Sequence, residues 1–282
     1  MILLDYSAIA IGNLFAMHVE IEENIIRHVI LNSIRMYNKK YRDKFGKMVI
    51  CCDGGAKWRK EIFPNYKAGR DTGREESPID WDEAFRCINL VREELKEHFP
   101  YKVVQVLGAE GDDVIATLVE QTQEFGQHEP VMIISADKDF LQLQKYSNVK
   151  QFSTITKKLL VEKDPHKRLF EHVCRGDGGD GVPNVLSPDN TFVDGLRQNR
   201  LMSKKIDLWY ESDDLANDMP EEVYRNFQRN QKVIDLSLIP DGVKTDIINT
   251  YANQETVPGK KVMPFLIKKR CRQLIENIGD FI

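Results

Sequence analysis

The sequence lacks the features that mark a secreted, disulfide-bonded or membrane-spanning protein. Its five cysteines leave one unpaired under any pairing, and none stands in a CxxC pair of the kind that zinc sites and redox motifs use. No apolar run approaches the roughly 20 residues that a bilayer-spanning helix requires. The apolar N-terminus MILLDYSAIAIGNLFA has no leading Lys or Arg and contains Asp5, so we expect that it is not a signal peptide. Reduced cysteines then favour a cytoplasmic protein with no membrane contact.

The sequence is also short of positive charge. Its 40 Lys and Arg residues stand against 44 Asp and Glu residues, which gives a formal net charge of −4. A negative balance argues against a nucleic-acid partner only when the charges are spread evenly. Between Lys57 and Arg74 there are six basic and two acidic residues, and the same numbers recur between Val257 and Ile282. The net charge therefore conceals two basic stretches that could contact phosphates.

Four short, nearly continuous apolar runs have the length and composition of strands that are buried on both faces of a sheet. Helical patterns lie between them, and the clearest runs from Trp81 to Phe99 with apolar residues three and four positions apart. Alternating strands and helices predict an α/β domain over residues 1–182, with a mostly parallel central sheet flanked by helices. After about Val182 the strand pattern stops, which predicts a smaller all-helical domain over residues 183–282. The four runs are ILL (2–4), MVICC (48–52), KVVQVL (102–107) and VMIIS (131–135).

Each of the four predicted strands is followed by carboxylates. A single Asp in such a place is most often a helix cap or a turn residue. Acids at the ends of all four strands are harder to explain in that way, because the carboxyl ends of parallel strands lie along one edge of the sheet, where ligands bind. We therefore expect these seven side chains to converge. They are Asp5, Asp53, Glu110, Asp112, Asp113, Asp137 and Asp139.

Clustered carboxylates repel one another unless cations compensate their charge. Hard divalent cations prefer oxygen ligands, and the residues that follow the predicted strands include no His or Cys, so the pattern favours Mg²⁺ or Mn²⁺ over Zn²⁺. Two such ions roughly 4 Å apart are the usual clamp for in-line attack on a phosphodiester. The acids therefore predict phosphoryl-transfer chemistry with two Mg²⁺ ions, for which Mn²⁺ can substitute.

Four motifs, in order along the chain, resemble those of the flap endonuclease and 5′ to 3′ exonuclease family, which includes the nuclease domain of bacterial DNA polymerase I. They are NYKAGR (65–70), EGDD (110–113), SADKDF (135–140) and GDGGDGVPN (176–184), and the resemblance continues through RNQKVIDLSLIP (229–240). It implies a PIN-like nuclease core with an arch or gateway at about residues 54–79. The implied activity is 5′ to 3′ exonuclease and flap endonuclease cleavage of DNA and RNA/DNA duplexes, with removal of RNA primers.

The resemblance also implies roles for nine acids. Asp177 and Asp180 join the set through it alone, since a Gly-rich solvated turn would otherwise explain them. Neutralising nine negative charges would leave an excess of about five positive charges for DNA. The first metal would be held by Asp5, Asp53, Glu110 and Asp112, and the second held or oriented by Asp113, Asp137, Asp139, Asp177 and Asp180, with Asp112 and Asp137 among the catalytic residues.

Basic and aromatic residues of the arch complete the implied site. Lys67 and Arg70 would hold the scissile phosphodiester and offset transition-state charge, and Tyr66 would stack on a terminal base. For Lys57, Arg59 and Lys60, DNA contact and a solvated helix face are equally open. In contrast, Trp58 and Trp81 are expected to pack in the core.

The second half departs from the family pattern. After GVPN the chain reads VLSPDNTFVDGLRQ, which lacks the glycines and lysine of the family's helix-three-turn-helix. The sequence therefore does not predict whether the family's monovalent-cation site is retained. The C-terminal KKVMPFLIKKRCRQLIENIGDFI is expected to pack on the core, with grip on the duplex or docking of a single-stranded DNA-binding protein or sliding clamp as alternatives. We expect a monomer. Duplex phosphates would be met by Arg197, Arg200, Lys204 and Lys205.

Two other functions share parts of the pattern. A PIN-type endoribonuclease has a similar acidic edge, but it usually lacks an arch and a GDxxD motif, so NYKAGR and GDGGD count against it. A non-catalytic DNA-binding scaffold would be expected to have lost acids, and here all of them are present. The leading hypothesis is therefore a metal-dependent 5′ nuclease.

Overall fold

A six-stranded sheet forms the centre of the molecule in the computed structural model, which describes residues 1–16, 21–75, 77–126 and 128–282. The strand order is β3-β2-β1-β4-β5-β6, and all neighbouring strands are parallel except β5 and β6. This confirms the predicted mostly parallel α/β fold and its first four strands. The strands are β1 Ile2–Asp5, β2 Met48–Cys52, β3 Lys102–Gln105, β4 Val131–Ile134, β5 Val149–Phe152 and β6 Leu159–Leu160.

Helices cover both faces of this sheet and make up most of the second half. The helix predicted from Trp81 to Phe99 is present, and Asp80 caps it by accepting a hydrogen bond of 3.0 Å from the Glu83 amide. The helices are α1 Tyr6–Ala16, α2 Glu23–Phe45, α3 Lys57–Ile62, α4 Arg70–Glu75, α5 Trp81–His98, α6 Gly111–Gln121, α7 Pro165–Arg175, α8 Ser203–Tyr210, α9 Leu215–Asp218, α10 Glu221–Ile234, α11 Asp241–Asn253, α12 Val262–Lys268 and α13 Arg272–Ile275.

Short 3₁₀ segments connect several of these elements. One of them, Asp139–Lys145, directly follows the SAD sequence at the end of β4 and packs against α7. The others are Glu124–Gly126, Leu236–Leu238, Gly259–Lys261 and Ile278–Phe281. No helix in the described part of the chain is long and apolar enough to cross a membrane.

Two apolar clusters fill the space between the sheet and its helices. On one face α1, α2 and α5 pack on the strands, together with Phe265 and Phe281 from the C-terminal segment. On the other face α6 and α11 cover the sheet, and Ile247 of α11 is completely buried there. The C-terminal segment thus packs on the core, as predicted.

A third cluster joins α7, α8 and α10 to Phe63 and Tyr66 of the first half. Residues 183–202, between Val182 and α8, contain turns but no helix, so this part of the predicted helical half is irregular. The domain boundary at residue 182 stays a prediction. The predicted arch of about residues 54–79 comprises α3, α4 and the turns that flank them, and its residue 76 lies outside the described residues.

Candidate metal centre

The carboxyl ends of the parallel strands meet at one edge of the sheet, because the register pairs Asp5 with Cys51 and Cys51 with Val104. A cleft of about 330 Å³ opens there, and we call it the acidic cleft. Lys67 and Arg70 lie on its wall. Seven of the nine predicted metal ligands line it, namely Asp5, Asp53, Asp112, Asp137, Asp139, Asp177 and Asp180.

The first two strands position their acids through short hydrogen bonds. Asp5, the last residue of β1, accepts a hydrogen bond of 3.0 Å from the Ala8 amide and one of 2.7 Å from the Ser135 hydroxyl, which lies just beyond β4. Asp53 follows β2 and accepts a hydrogen bond of 2.6 Å from the amide of Gly111, the first residue of α6. These contacts tie the end of β1 to the end of β4, and the end of β2 to the EGDD motif.

Four acids of the cleft carry protons more readily than isolated carboxylates do. Burial and the neighbouring carboxylate of Asp53 raise the pKa of Asp5 to about 7, and burial and Asp137 raise the pKa of Asp139 to about 7. The pKa values of Asp112 and Asp137 are also raised, by burial first and then by other carboxylates. A donor set of mutually repelling oxygen atoms fits hard divalent cations.

The GDGGD turn delivers Asp177 and Asp180 to the cleft from outside the sheet. Its first residue, Gly176, has φ +67°, and a Cβ atom there would lie 2.3 Å from the Val182 carbonyl oxygen, so only glycine fits. The backbones of Asp177 and Val182 exchange hydrogen bonds of 2.8 and 2.7 Å. Asp177 Oδ1 then accepts from the amides of Gly179 and Asp180 at 2.8 and 3.1 Å, while its Oδ2 lies 3.3 Å from a ring nitrogen of His172.

Lys67 and Arg70 contact acids of the site. Lys67 Nζ donates to Glu110 and lies 3.4 Å from Asp180, while Arg70 donates to Asp180 at 2.6 Å. Lys67 also has φ +59°, a conformation that non-glycine residues rarely adopt, and its amide donates to the Asp180 carbonyl at 2.8 Å. Both predicted phosphate-binding residues therefore lie at the predicted metal ligands, where they act as internal counter-charges.

Glu110 and Asp113 lie beneath the cleft, on the buried side of α6. Arg59 donates to Glu110 at 2.8 Å and to Asp113 at 3.0 Å, and Trp58 donates to Asp113 at 3.0 Å. The structure thus places the Asp113 carboxylate among protein donors. Trp58 is in the core as predicted. Both alternatives for Arg59 are wrong, because its side chain is 3% exposed and is neither a solvated face nor a free DNA contact.

The position of Tyr66 differs from its prediction. Its ring is buried in the third cluster, and its hydroxyl donates to Asp180 at 2.7 Å and to Glu110 at 3.0 Å. In this structure the ring has no open face on which a terminal base could stack. Its hydroxyl instead holds two of the predicted metal ligands in place.

One functional candidate, His172, has no counterpart in the sequence predictions. It lies on α7, with Nδ1 3.4 Å from Asp139 Oδ1 and Nε2 3.3 Å from Asp177 Oδ2. Burial lowers the pKa of His172, but its contacts with Asp177 and Asp139 outweigh burial and raise it overall. The sequence contains one weak indication that His172 lies near the acids. It stands one helical turn before Gly176, the glycine at which the chain reverses towards Asp177.

The predicted duplex contacts of the second half lie on its surface. Arg197 and Arg200 are exposed in the irregular segment, and Lys204 is exposed in the first turn of α8. Lys205 is half-buried, with its ammonium group 4.9 Å from the centre of the Trp209 ring. None of these four residues lines the acidic cleft, so any role in binding a duplex would be exerted at a distance from the metals.

Comparisons with known proteins cover the whole chain. Residues 1–170 match the family model of the 5′-3′ exonuclease N-terminal resolvase-like domain, and residues 165–281 match that of the T4 RNase H C-terminal domain. The chain is 32% identical over 294 residues to a ribonuclease H of Enterobacteria phage T4, which covers 99% of this chain and 95% of the relative. It is 29% identical over 156 residues to a 5′-3′ exonuclease of Buchnera aphidicola subsp. Schizaphis graminum, which covers 52% of this chain and 50% of the relative.

Solved structures show the same fold at low sequence identity. The D15 protein of T5, co-crystallised with metal ions, has a TM-score of 0.64 and 16% identity over 98% of each chain. A complex of the bacteriophage T5 D15 flap endonuclease with DNA and metal ions has a TM-score of 0.65 and 16% identity over 99% of this chain and 98% of the other.

Proposed function

The chain belongs to the 5′-3′ exonuclease family, and from this premise we propose that it is a metal-dependent 5′ to 3′ exonuclease and flap endonuclease. Within the family, its size and helical C-terminal part resemble the ribonuclease H of T-even phages, and the full-length identity confirms that resemblance. Its substrates would be DNA and RNA/DNA duplexes with 5′ ends or flaps. Removing primers during DNA replication would place it in the cytoplasm, that of the host if the chain is phage-encoded.

The observation that carries this proposal is the acidic cleft itself. Seven carboxylates and two cations, Lys67 and Arg70, line one opening at the edge of the sheet. We propose that Asp5, Asp53 and Asp112 hold one Mg²⁺ ion, and that Asp137, Asp139, Asp177 and Asp180 hold the other, directly or through water. The chemistry that such a pair supplies is activation of a water molecule and stabilisation of the leaving oxygen.

Protein groups on the wall of the cleft would bind and orient the substrate. A phosphodiester brings negative charge to a site that already holds many acids, so it needs cations placed in advance. Lys67 and Arg70 are such cations, and the turn that holds them is fixed by the hydrogen bond between the Lys67 amide and Asp180. We propose that they contact the scissile phosphate and stabilise the charge that develops there.

Glu110 and Asp113 are proposed to act mainly by positioning. Their carboxylates already accept hydrogen bonds from Arg59, Trp58, Tyr66 and Lys67. A ligand role for Glu110 would require Lys67 to turn away, which the approach of a phosphate would favour. Asp113 could not become a ligand in this way, because its side chain is completely buried.

The test uses 5′-labelled flap, nicked and RNA-primed duplexes, with Mg²⁺, Mn²⁺ or EDTA. We expect short 5′ products with either metal and none in EDTA. Asp112→Asn should lower the single-turnover rate at least about a thousandfold, because a ligand of the proposed metal site is lost. Each factor of ten in that rate corresponds to about 1.4 kcal/mol of lost transition-state stabilisation. Asp213→Asn, at an exposed position in the second half, is the matched control and should cleave like the parent.

Two outcomes would contradict the proposal. Undiminished cleavage by Asp112→Asn would show that the chemistry takes place elsewhere. Cleavage of single-stranded RNA with no preference for a 5′ end of a duplex would instead support the PIN-type endoribonuclease. A monomeric state and a contact with a single-stranded DNA-binding protein or sliding clamp are further proposals, testable by sedimentation and by pull-down with purified partners.

A further inference from the structure

We propose that His172 is a ligand of the second metal position, so that this position combines an imidazole nitrogen with carboxylate oxygens. The inference rests on the proposed function, because that position belongs to the proposed nuclease site. Its consequence is a change in metal preference. Imidazole suits later transition metals such as Co²⁺ and Ni²⁺, whereas Mg²⁺ prefers oxygen ligands and binds imidazole weakly.

The first support is geometric. Asp139, His172 and Asp177 each offer one ligand atom, and these atoms all lie within 4.8 Å of one another. Three donor atoms at that spacing can all bind a single ion at ordinary metal–ligand distances. In the described part of the chain no other group of three or more His, Cys, Asp or Glu side chains meets this spacing.

The second support is the way that the chain builds the group. α7 packs against the 3₁₀ segment that begins at Asp139, so the last turn of the helix faces that carboxylate. The Gly176 amide donates to the His172 carbonyl at 2.8 Å and ends the helix. The chain then reverses at Gly176, which brings Asp177 back beneath the ring. Three separate elements thus converge on one point.

The third support is the availability of the donor atoms. Asp177 Oδ1 is occupied by two amides of its own turn, whereas Oδ2 points at the His172 ring. The His172 side chain is 18% exposed, so it is not sealed inside the protein. Within the described residues, the two carboxylates are the contacts of its ring nitrogens.

A purely structural ion pair is the alternative role for His172, and metal spectroscopy separates the two. The protein loaded with Mn²⁺ would be measured by electron spin-echo envelope modulation, which detects nitrogen bound to the ion. We expect a ¹⁴N coupling in the parent that is replaced by a ¹⁵N coupling after selective labelling with ¹⁵N-histidine. His172→Gln should abolish it. His166→Gln, an exposed position on the same helix, should retain it.

Metal affinity provides a second readout. Calorimetric titration should show that His172→Gln weakens Co²⁺ and Ni²⁺ binding at one site by roughly tenfold or more, with less than about a threefold change for Mg²⁺. Should His172→Gln fail to fold, as judged by circular dichroism, His172→Asp replaces it and should lose the nitrogen coupling while still binding Mn²⁺. Absence of the coupling in the parent, or its persistence in a folded His172 variant, would overturn the inference.

Failure of the inference is distinguishable from failure of the proposed function. Cleavage by the parent in Mg²⁺ tests the nuclease activity and does not depend on a nitrogen ligand. A parent that cleaves but shows no nitrogen coupling would retain the nuclease assignment and remove His172 from the metal. A parent that shows the coupling but cuts no duplex would retain the ligand and remove the activity.

Discussion

At the scale of single residues, the site is organised by compensation of charge. Lys67 and Arg70 contact Glu110 and Asp180, while His172 lies between Asp139 and Asp177. These cations lower part of the repulsion among the acids, yet Asp112 receives little of this relief. Burial and the charges of Asp137 and Asp5 raise its pKa well above the ordinary value. The cleft is therefore under electrostatic stress that a bound cation would relieve.

This stress predicts how the stability of the metal-free protein depends on pH. An unfolded Asp has a pKa of about 4, whereas the pKa values of Asp5 and Asp139 in the folded chain are about 7. Between these values the folded state binds more protons than the unfolded state, so stability falls as pH rises. In EDTA the melting temperature should therefore decrease between about pH 5 and pH 7.5.

The variant Asp112→Asn tests the same argument. Removing one charge from the cluster should raise the melting temperature in EDTA at pH 7.5 and flatten its decrease with pH. Asp213→Asn, far along the chain and exposed, should leave the curve unchanged. A melting temperature that is constant or rises over this interval in the parent would show that the acids do not repel one another as described.

Lys67 carries the next prediction. Because it would contact charge that develops in the transition state, Lys67→Ala should lower single-turnover cleavage by a factor of roughly a hundred or more, with a much smaller change in duplex affinity. Lys57→Ala, on an exposed side chain of α3, is the control and should change the rate little. If affinity fell in step with rate, Lys67 would be a phosphate tether without a special role in the transition state.

At the scale of elements, periodicity and burial decide what the sequence could predict. The first four strands are buried along nearly their whole length and α5 has a regular apolar face, so their patterns are plain. β5 was missed because its polar Lys150 and Gln151 interrupt the apolar run. Gln151 is nevertheless completely buried and donates to the Ser135 carbonyl at 3.1 Å. That partner lies just beyond another strand, β4, and no local pattern can indicate such a contact.

The same limit explains the site. The convergence of the acids at the strand ends could be predicted, because the topology of a parallel sheet brings these ends together independently of individual side-chain contacts. The roles of Arg59, Tyr66 and His172 depend on contacts between elements that are distant in sequence. Arg59, for example, also donates to the Val233 carbonyl at the end of α10 at 3.0 Å. Local composition identified Arg59 only as a basic residue in a basic stretch.

The GDGGD turn gives a prediction at this scale. Gly176→Ala places a Cβ atom 2.3 Å from a backbone oxygen at a positive φ, so it should lower the free energy of unfolding by roughly 2 kcal/mol or more and weaken metal binding by displacing Asp177. Gly178→Ala is the matched control, because its Cβ would lie no closer than 3.5 Å to the Phe192 ring. Urea titration and calorimetry with Mn²⁺ measure both effects. Equal losses in the two variants would contradict this account of the turn.

At the scale of the whole molecule, the second half serves both the core and the surface. α11 and the C-terminal segment complete the two apolar clusters on the sheet. Lys269 is also part of this packing, since it lies 2.8 Å from Glu94 in an ion pair. Several other basic residues of the second half point to solvent, which separates lysines that stabilise the fold from those that are free to bind a duplex.

The last prediction concerns which of these surfaces holds the duplex. A protein that neutralises phosphates releases counterions, so each lost phosphate contact should lower the slope of log affinity against log salt by roughly one unit. Binding would be measured in Ca²⁺, which can occupy an acidic site while supporting little cleavage. Lys204→Ala with Lys205→Ala should flatten the slope, because α8 directly follows the segment after GDGGDGVPN. Lys260→Ala with Lys268→Ala, two exposed positions of the C-terminal segment, should leave it unchanged. The reverse result would assign the duplex to the C-terminal segment, and an unchanged slope in both pairs would leave the grip to the arch, where Lys67 and Arg70 already lie beside the cleft.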